Sequence, residues 1–161
     1  MPFVVQMVVC REAVVDQATN IVSLHGLIEE AQVPSEAFTK ANEQKVMIAS
    51  PMAVYALLSW EWPTAAEHAP LNLELRLCNP AGVGLALSTI RMEPEPLIRR
   101  LRAIFNLPGF LLDGEGIYTF ELFSGGQILG KVPFRVIPAQ TNTGQTTGDS
   151  VLDPLVSKKS P

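Results

Sequence analysis

Strict alternation of apolar and polar residues in the segment LNLELRLC constrains the fold of this chain more than any other feature. Alternation with period two is typical of an extended strand with one side against a core and the other in solvent. The turn NPAG follows at 79–82, and an apolar run at 83–87 continues beyond it, which predicts a hairpin. The alternating positions are Leu71, Leu73, Leu75 and Leu77 on the apolar side, and Asn72, Glu74, Arg76 and Cys78 on the polar side.

A second hairpin is predicted over residues 114–138, GEGIYTFELFSGGQILGKVPFRVIP. Gly125 and Gly126 favour a two-residue hairpin turn, because glycine adopts positive φ at both central positions without strain. Two alternating runs flank this turn. The side chains expected to face the core are Tyr118, Phe120, Leu122, Ile128, Val132, Phe134 and Val136.

The N-terminal third also indicates extended structure. Phe3–Val9 is rich in β-branched residues and predicts a first strand that ends before the charged pair at 11–12. The segment 21–28 predicts a second strand. Ser35 is expected to cap a single helical turn that begins at Glu36.

Two further segments are compatible with either helix or strand. Residues 46–62 contain helix-favouring side chains but also Pro51, so we expect two strand pieces that kink there. Proline cannot donate to a neighbouring strand, which favours an edge position for this strand. The segment 97–107 alternates as a strand does, although a helix remains possible, and 106–109 is expected to end it in an extended loop.

Seven or eight short strands separated by proline and glycine turns predict an all-β fold. The sequence around Gly116 and Tyr118 resembles the tyrosine corner of immunoglobulin-like domains, in which a tyrosine hydroxyl bonds to upstream backbone. We therefore expect a single antiparallel Greek-key β-sandwich over residues 1–138. Residues 139–161 are rich in Thr, Gly, Gln and Ser, and are expected to form a flexible tail.

Composition limits the classes of partner. The chain has 161 residues, enough for one domain with its own core, and a formal net charge of -4, which argues against binding to nucleic acid or to anionic membrane. It contains no apolar run long enough for a membrane span and no basic segment typical of a signal peptide, so we expect a cytoplasmic protein. Cys10 and Cys78 are expected to be reduced thiols.

Three segments resemble a family of small bacterial β-sandwich proteins of unknown function. CREAVVDQATNIVSLHGLIEEAQVP is similar to the opening of that family, LRLCNPAG to its Leu-x-Asp-Pro-x-Gly hairpin, and GIYTFELFSGGQILGKVPFRV to its ending. The resemblance covers Phe3–Val136, and Asn79 stands where an aspartate is usual. It implies a β-sandwich fold and brings no activity, cofactor or catalytic residue with it.

The sequence contains no catalytic constellation that we can identify. His25 lies within a predicted strand and His68 in a loop beside Glu67, and neither is framed by a nucleophile motif. The histidines and cysteines lack the close spacing of a metal site, and no glycine-rich phosphate motif precedes a helix. We therefore expect a non-enzymatic protein without metal or cofactor.

Two groups of side chains are candidates for contact with a ligand or partner. Trp60 and Trp62 are spaced by two and would share one side of a strand, where they could pack in a core, form a subunit contact or stack on a sugar ring. Arg99, Arg100 and Arg102 form the basic concentration of the chain, and could pair with nearby glutamates or border a contact surface.

Three hypotheses of function follow from these observations. The first is a binding module for another protein or for a second copy of the chain. The second is a small-ligand or carbohydrate-binding module that uses Trp60 and Trp62. The third is a cryptic enzyme that uses His25 or His68.

Overall fold

The computed structural model describes residues 2–59, 70–93 and 100–140, and these ranges contain nine strands and one short helix. Most of the described residues lie in strands, so the all-β class is confirmed. The elements are β1 (Phe3–Val15), β2 (Val22–Leu27), β3 (Glu30–Val33), α1 (Ser35–Ala41), β4 (Val46–Ser59), β5 (Leu71–Cys78), β6 (Gly84–Met92), β7 (Arg100–Leu112), β8 (Gly116–Ser124) and β9 (Gln127–Pro138).

The strands form two sheets. The first sheet has the order β2-β1-β4-β7, and the second, which is curled, has the order β3-β9-β8-β5-β6. All neighbours are antiparallel except β3 and β9, which run parallel. The chain changes sheet between β2 and β3, between β3 and β4, between β4 and β5, and on both sides of β7, so each sheet collects strands from distant parts of the sequence.

Side chains from both sheets meet in one apolar cluster, and the sides of the sheets that supply it are called inner here. The alternation of the sequence builds it, because every second residue of a strand points to the same side. Burial of each large apolar side chain contributes about 1.5–3 kcal/mol. The buried members of the cluster are Val9, Val33, Met52, Val54, Ala56, Leu58, Leu73, Leu75, Leu77, Ala103, Phe105, Leu107, Phe110, Leu112, Tyr118, Phe120, Leu122, Phe134 and Val136.

The edge position expected for the strand that contains Pro51 is wrong. β4 lies between β1 and β7 inside the first sheet. The ladder between β4 and β7 shifts register between Ala49 and Met52, which pair with Gly109 and Leu107. Two residues of β4, one of them Pro51, thus oppose the single Pro108 of β7, and this bulge accommodates residues that have no N–H to donate.

Several strands extend beyond their predicted ends. β1 continues through 11–12 to Val15, because its second half pairs with β2 instead of β4. β7 continues through the segment 106–109 that was expected to be a loop, and reaches Leu112. In both cases a pairing strand supplies hydrogen bonds that compensate for unfavourable local residues.

Two smaller expectations are also wrong. Ser35 lies inside α1 and makes no capping hydrogen bond, since Pro34 takes the cap position. Ile128 is exposed instead of buried. A register shift in the β8–β9 pair inserts Leu129 as an extra residue, so Ile128 points outward while Leu129 packs against the core.

Gly109 generates a prediction about the first sheet. A Cβ at this position would lie 1.8 Å from the carbonyl oxygen of Ile48, so Gly109→Ala must displace the backbone of β4. We expect a loss of about 3 kcal/mol or more in the free energy of unfolding. Urea denaturation measures it.

As a control, Gly82→Ala meets no atom within 4 Å and is strained only by its φ of 80°, so its loss should be about 1–2 kcal/mol. Equal losses for the two variants would contradict the packing of β4 on β7.

Candidate functional site

Tyr118 joins the two sheets at the start of β8. Its ring is fully buried. Its hydroxyl donates to the carbonyl oxygen of Gly114 at 2.9 Å and accepts from the N–H of Asp113 at 2.8 Å. Burial raises the pKa of this phenol, and both hydrogen-bonding functions of the hydroxyl are used by backbone, so the role of Tyr118 is structural.

The predicted structural glycines lie in turns and at strand ends. Gly116 has a φ of 134°, and a Cβ there would come within 3.1 Å of Pro80. Gly125 and Gly126 have φ values of 56° and 79°, as the type I′ turn between β8 and β9 requires.

A cavity of about 420 Å³ lies near Tyr118, between residues 41–45 and the start of the β5–β6 turn. Two of its polar side chains, those of Asn79 and Asp113, hold loops together. The Asn79 amide accepts from the N–H of Val83 at 2.8 Å and donates to the carboxylate of Asp113. We therefore assign this cavity a structural role.

The outer side of the second sheet is also occupied by its own interactions. Glu74 pairs with Arg76, and Lys131 pairs with Glu121 and holds the pKa of that carboxyl below its usual value. The Arg76 guanidinium lies 4.1 Å from the centre of the Phe123 ring, a cation–π contact. These four charges are balanced within the fold.

Arg100 and Arg102 come together at a second cavity, on the outer side of the first sheet. Both belong to β7 and alternate with core residues such as Ala103, so their side chains point away from the apolar cluster. The cavity has a volume of about 570 Å³, and we call it the arginine cleft. It is lined by Asn20, Ile21, Val22, Tyr55, Leu57, Arg100, Leu101 and Arg102.

The loop between β1 and β2 forms one wall of the arginine cleft. Arg102 Nη1 donates to the carbonyl oxygen and to Oδ1 of Asn20, at 2.8 and 2.9 Å. Asp16 makes the loop compact, since its carboxylate accepts from the N–H groups of Ala18 and Thr19. A hydrogen bond from the Thr19 side chain contributes most to lowering the pKa of Asp16. Arg102 thereby attaches a compact loop to a strand 82 residues away in sequence.

The floor of the arginine cleft is apolar. Tyr55 points outward from β4, because its neighbours Val54 and Ala56 belong to the core. Its side chain is nevertheless only 6% exposed. It is flanked by its cross-strand partners Val8 and Ile104. The cleft thus combines a covered apolar surface with two guanidinium groups.

No carboxylate of the described residues forms an ion pair with Arg100 or Arg102. The expected pairing of this arginine cluster with the nearby glutamates is therefore not seen for Glu93, which pairs with Arg91 at 3.6 Å. Arg99 lies outside the described residues. Among the described residues, both guanidinium groups of the arginine cleft therefore lack a carboxylate partner.

A groove of about 440 Å³ lies where β1 and β2 meet β8 and β9. Leu27 and Ile117 line it with side chains that are 62% and 56% exposed. Glu29 and Arg135 place opposite charges among its lining residues. We call this surface the apolar groove, and its full lining is Val8, Val9, Leu27, Ile28, Glu29, Ile117, Val132, Pro133, Phe134 and Arg135.

Sequence reasoning missed the apolar groove. The signal was present, because Ile117 is a large apolar residue on the side of its strand opposite to Tyr118 and Phe120. An apolar side chain on the solvent side of an alternating strand marks a contact surface when others lie beside it. Leu27 supplies that neighbour, but only the folded structure shows the two together.

The remaining candidate residues are not brought into a site. Trp60, Trp62 and His68 lie outside the described residues, so the carbohydrate-binding hypothesis remains a prediction from the sequence. His25 is exposed on β2 and pairs with Glu12 of β1 in the ladder. In the described ranges, no group of three His, Cys, Asp or Glu residues could hold a metal ion. Within the same ranges, α1 is far too short to cross a membrane, and no other helix is present.

Comparison with known proteins does not add a family or an activity. No protein-family model matches the chain, and a search of curated proteins finds no similar sequence.

Tyr118→Phe tests the structural role of this hydroxyl. The variant keeps the ring but leaves the Asp113 N–H and the Gly114 carbonyl without their partner, so we expect a loss of about 1–3 kcal/mol in the free energy of unfolding. Chemical denaturation followed by tryptophan fluorescence measures it. Tyr55→Phe is the matched control and should lose less, because among the described residues the Tyr55 hydroxyl makes no hydrogen bond. A Tyr118→Phe variant as stable as wild type would show that the hydroxyl is dispensable.

Proposed function

We propose that the protein is a non-enzymatic, cytoplasmic binding module with an immunoglobulin-like Greek-key β-sandwich fold. The strand order supports this architecture: β1-β4-β7 corresponds to strands A, B and E of immunoglobulin domains, and β9-β8-β5-β6 to strands G, F, C and C′. Tyr118 begins β8 after the chain crosses from the first sheet, at the place of the tyrosine corner.

We also propose a resemblance to a family of small bacterial β-sandwich proteins, and the two-sheet β architecture agrees with the fold that this resemblance implies. The free cysteines, Cys10 in the interior and Cys78 partly buried, suit the reducing cytoplasm. Burial raises the pKa of both thiols, which makes them poor nucleophiles.

The observation that carries the proposal of binding is the apolar groove. Exposed apolar side chains that cluster beside a groove and are flanked by charged residues are typical of a protein contact surface. We propose a second copy of the chain as its partner. Glu29 and Arg135 carry opposite charges at this groove, so an isologous pair in which Glu29 of each copy binds Arg135 of the other would be electrostatically complementary.

Ile117→Asp tests this proposal. A carboxylate in the groove would have to be buried without a partner, so we expect self-association of the variant to weaken by about tenfold or more. Sedimentation velocity over a range of concentrations measures the association. Val83→Asp is the matched control, because Val83 is 65% exposed and lies outside the groove.

The expected result is a concentration-dependent dimer for wild type and for Val83→Asp, and a weaker one for Ile117→Asp. A wild-type chain that remains monomeric up to about 1 mM would contradict self-association through this surface. Equal self-association of Ile117→Asp and Val83→Asp would also contradict it.

A further inference from the structure

The two arginines of the arginine cleft differ in what they do for the fold. Arg102 uses Nη1 to bind the β1–β2 loop through Asn20, and it is half-buried by this contact. Arg100 is exposed and makes no hydrogen bond or ion pair with any described residue. The fold thus positions one guanidinium rigidly and leaves a second beside it free to accept a ligand.

The rest of the lining determines what such a ligand must look like. Tyr55 and Leu57 give the floor an apolar character, and Ile21 and Val22 line the side formed by the loop. None of the described residues that line the cleft is acidic. A cation would therefore be repelled, and a small inorganic anion would leave the apolar surface in contact with water.

We propose that the arginine cleft binds an amphipathic carboxylate, with the carboxylate on the guanidinium groups of Arg100 and Arg102 and the apolar body on Tyr55 and Leu57. The planar guanidinium presents paired N–H donors that match the two oxygens of a carboxylate. A volume of about 570 Å³ is in the range of pockets that hold one small organic molecule. This binding goes beyond the proposed self-association, because the arginine cleft and the apolar groove share no residue.

Titration calorimetry with decanoate below its micellar concentration tests the proposal. Decyltrimethylammonium is the matched probe, since it has the same chain with the opposite charge, and butyrate has the same charge with a short chain. We expect saturable binding of decanoate, weaker binding of butyrate and no binding of decyltrimethylammonium. Equal heats for decanoate and decyltrimethylammonium would show only non-specific apolar contact and would overturn the proposal.

Arg100→Gln is the decisive variant, because Arg100 does not support the loop. Removal of one charge-assisted contact should weaken decanoate binding by about tenfold or more. Arg102→Gln should weaken it as well, but also releases Asn20. Arg91→Gln is the control, since Arg91 lies on β6 in an exposed pair with Glu93. Decanoate affinity that is unchanged in Arg100→Gln, or lowered equally in Arg91→Gln, would overturn the proposal.

The same variants separate this site from the apolar groove. Arg100→Gln should sediment as wild type does, and Ile117→Asp should bind decanoate with wild-type affinity. A monomeric wild type that still binds decanoate in an Arg100-dependent manner would support the arginine cleft while contradicting self-association. A dimeric wild type without saturable decanoate binding would support self-association and contradict the arginine cleft as a binding site.

Discussion

The structure depends on the burial of four aromatic rings where β7, β8 and β9 meet. Phe110 packs edge-on against Tyr118 and Phe134, and Phe134 stacks on Phe120 with ring centres 5.3 Å apart. Such pairs add about 0.5–1.5 kcal/mol each to the free energy gained from burial alone. Because Phe110 belongs to the first sheet and the other three belong to the second, these contacts hold the two sheets together. The Tyr118 hydroxyl then fixes the connection between them.

Apolar side chains fill the inner sides of the sheets. A ligand or partner would therefore bind to the outer surfaces. The outer side of the second sheet balances its charges in pairs such as Glu121 with Lys131. The outer side of the first sheet does not, since Arg100 and Arg102 lie beside covered apolar residues, and none of the described residues of the cleft is acidic. The apolar groove lies at the junction of the sheets, where neither set of strands covers Leu27 and Ile117. Arginines without a carboxylate partner and clustered exposed apolar side chains therefore distinguish the two candidate sites from the rest of the described surface.

Features that depend on neighbouring residues were predictable from the sequence, and features that depend on distant ones were not. The strand from Leu71 to Leu77 and the Gly125–Gly126 turn are each determined by residues within the segment itself. The interior position of Pro51 depends on Pro108 in a strand that the sequence alone does not align with it. Likewise, the sequence identifies Arg100 and Arg102 as candidates for a contact. It does not show the loop that completes their cleft, because that loop is held by a hydrogen bond from Arg102 to Asn20, 82 residues away in sequence.

We propose that this protein acts through defined surfaces of its two-sheet fold, and in the first place through its apolar groove. Backbone amide chemical shifts in a ¹H–¹⁵N spectrum, followed from dilute to concentrated solution, test it most directly, because they report each residue's surroundings without any substitution. We expect concentration-dependent shifts at Leu27, Glu29, Ile117 and Arg135, with the amides of the core strands unchanged. Shifts that are absent, or that cluster on the outer side of β5 and β6 instead, would contradict it.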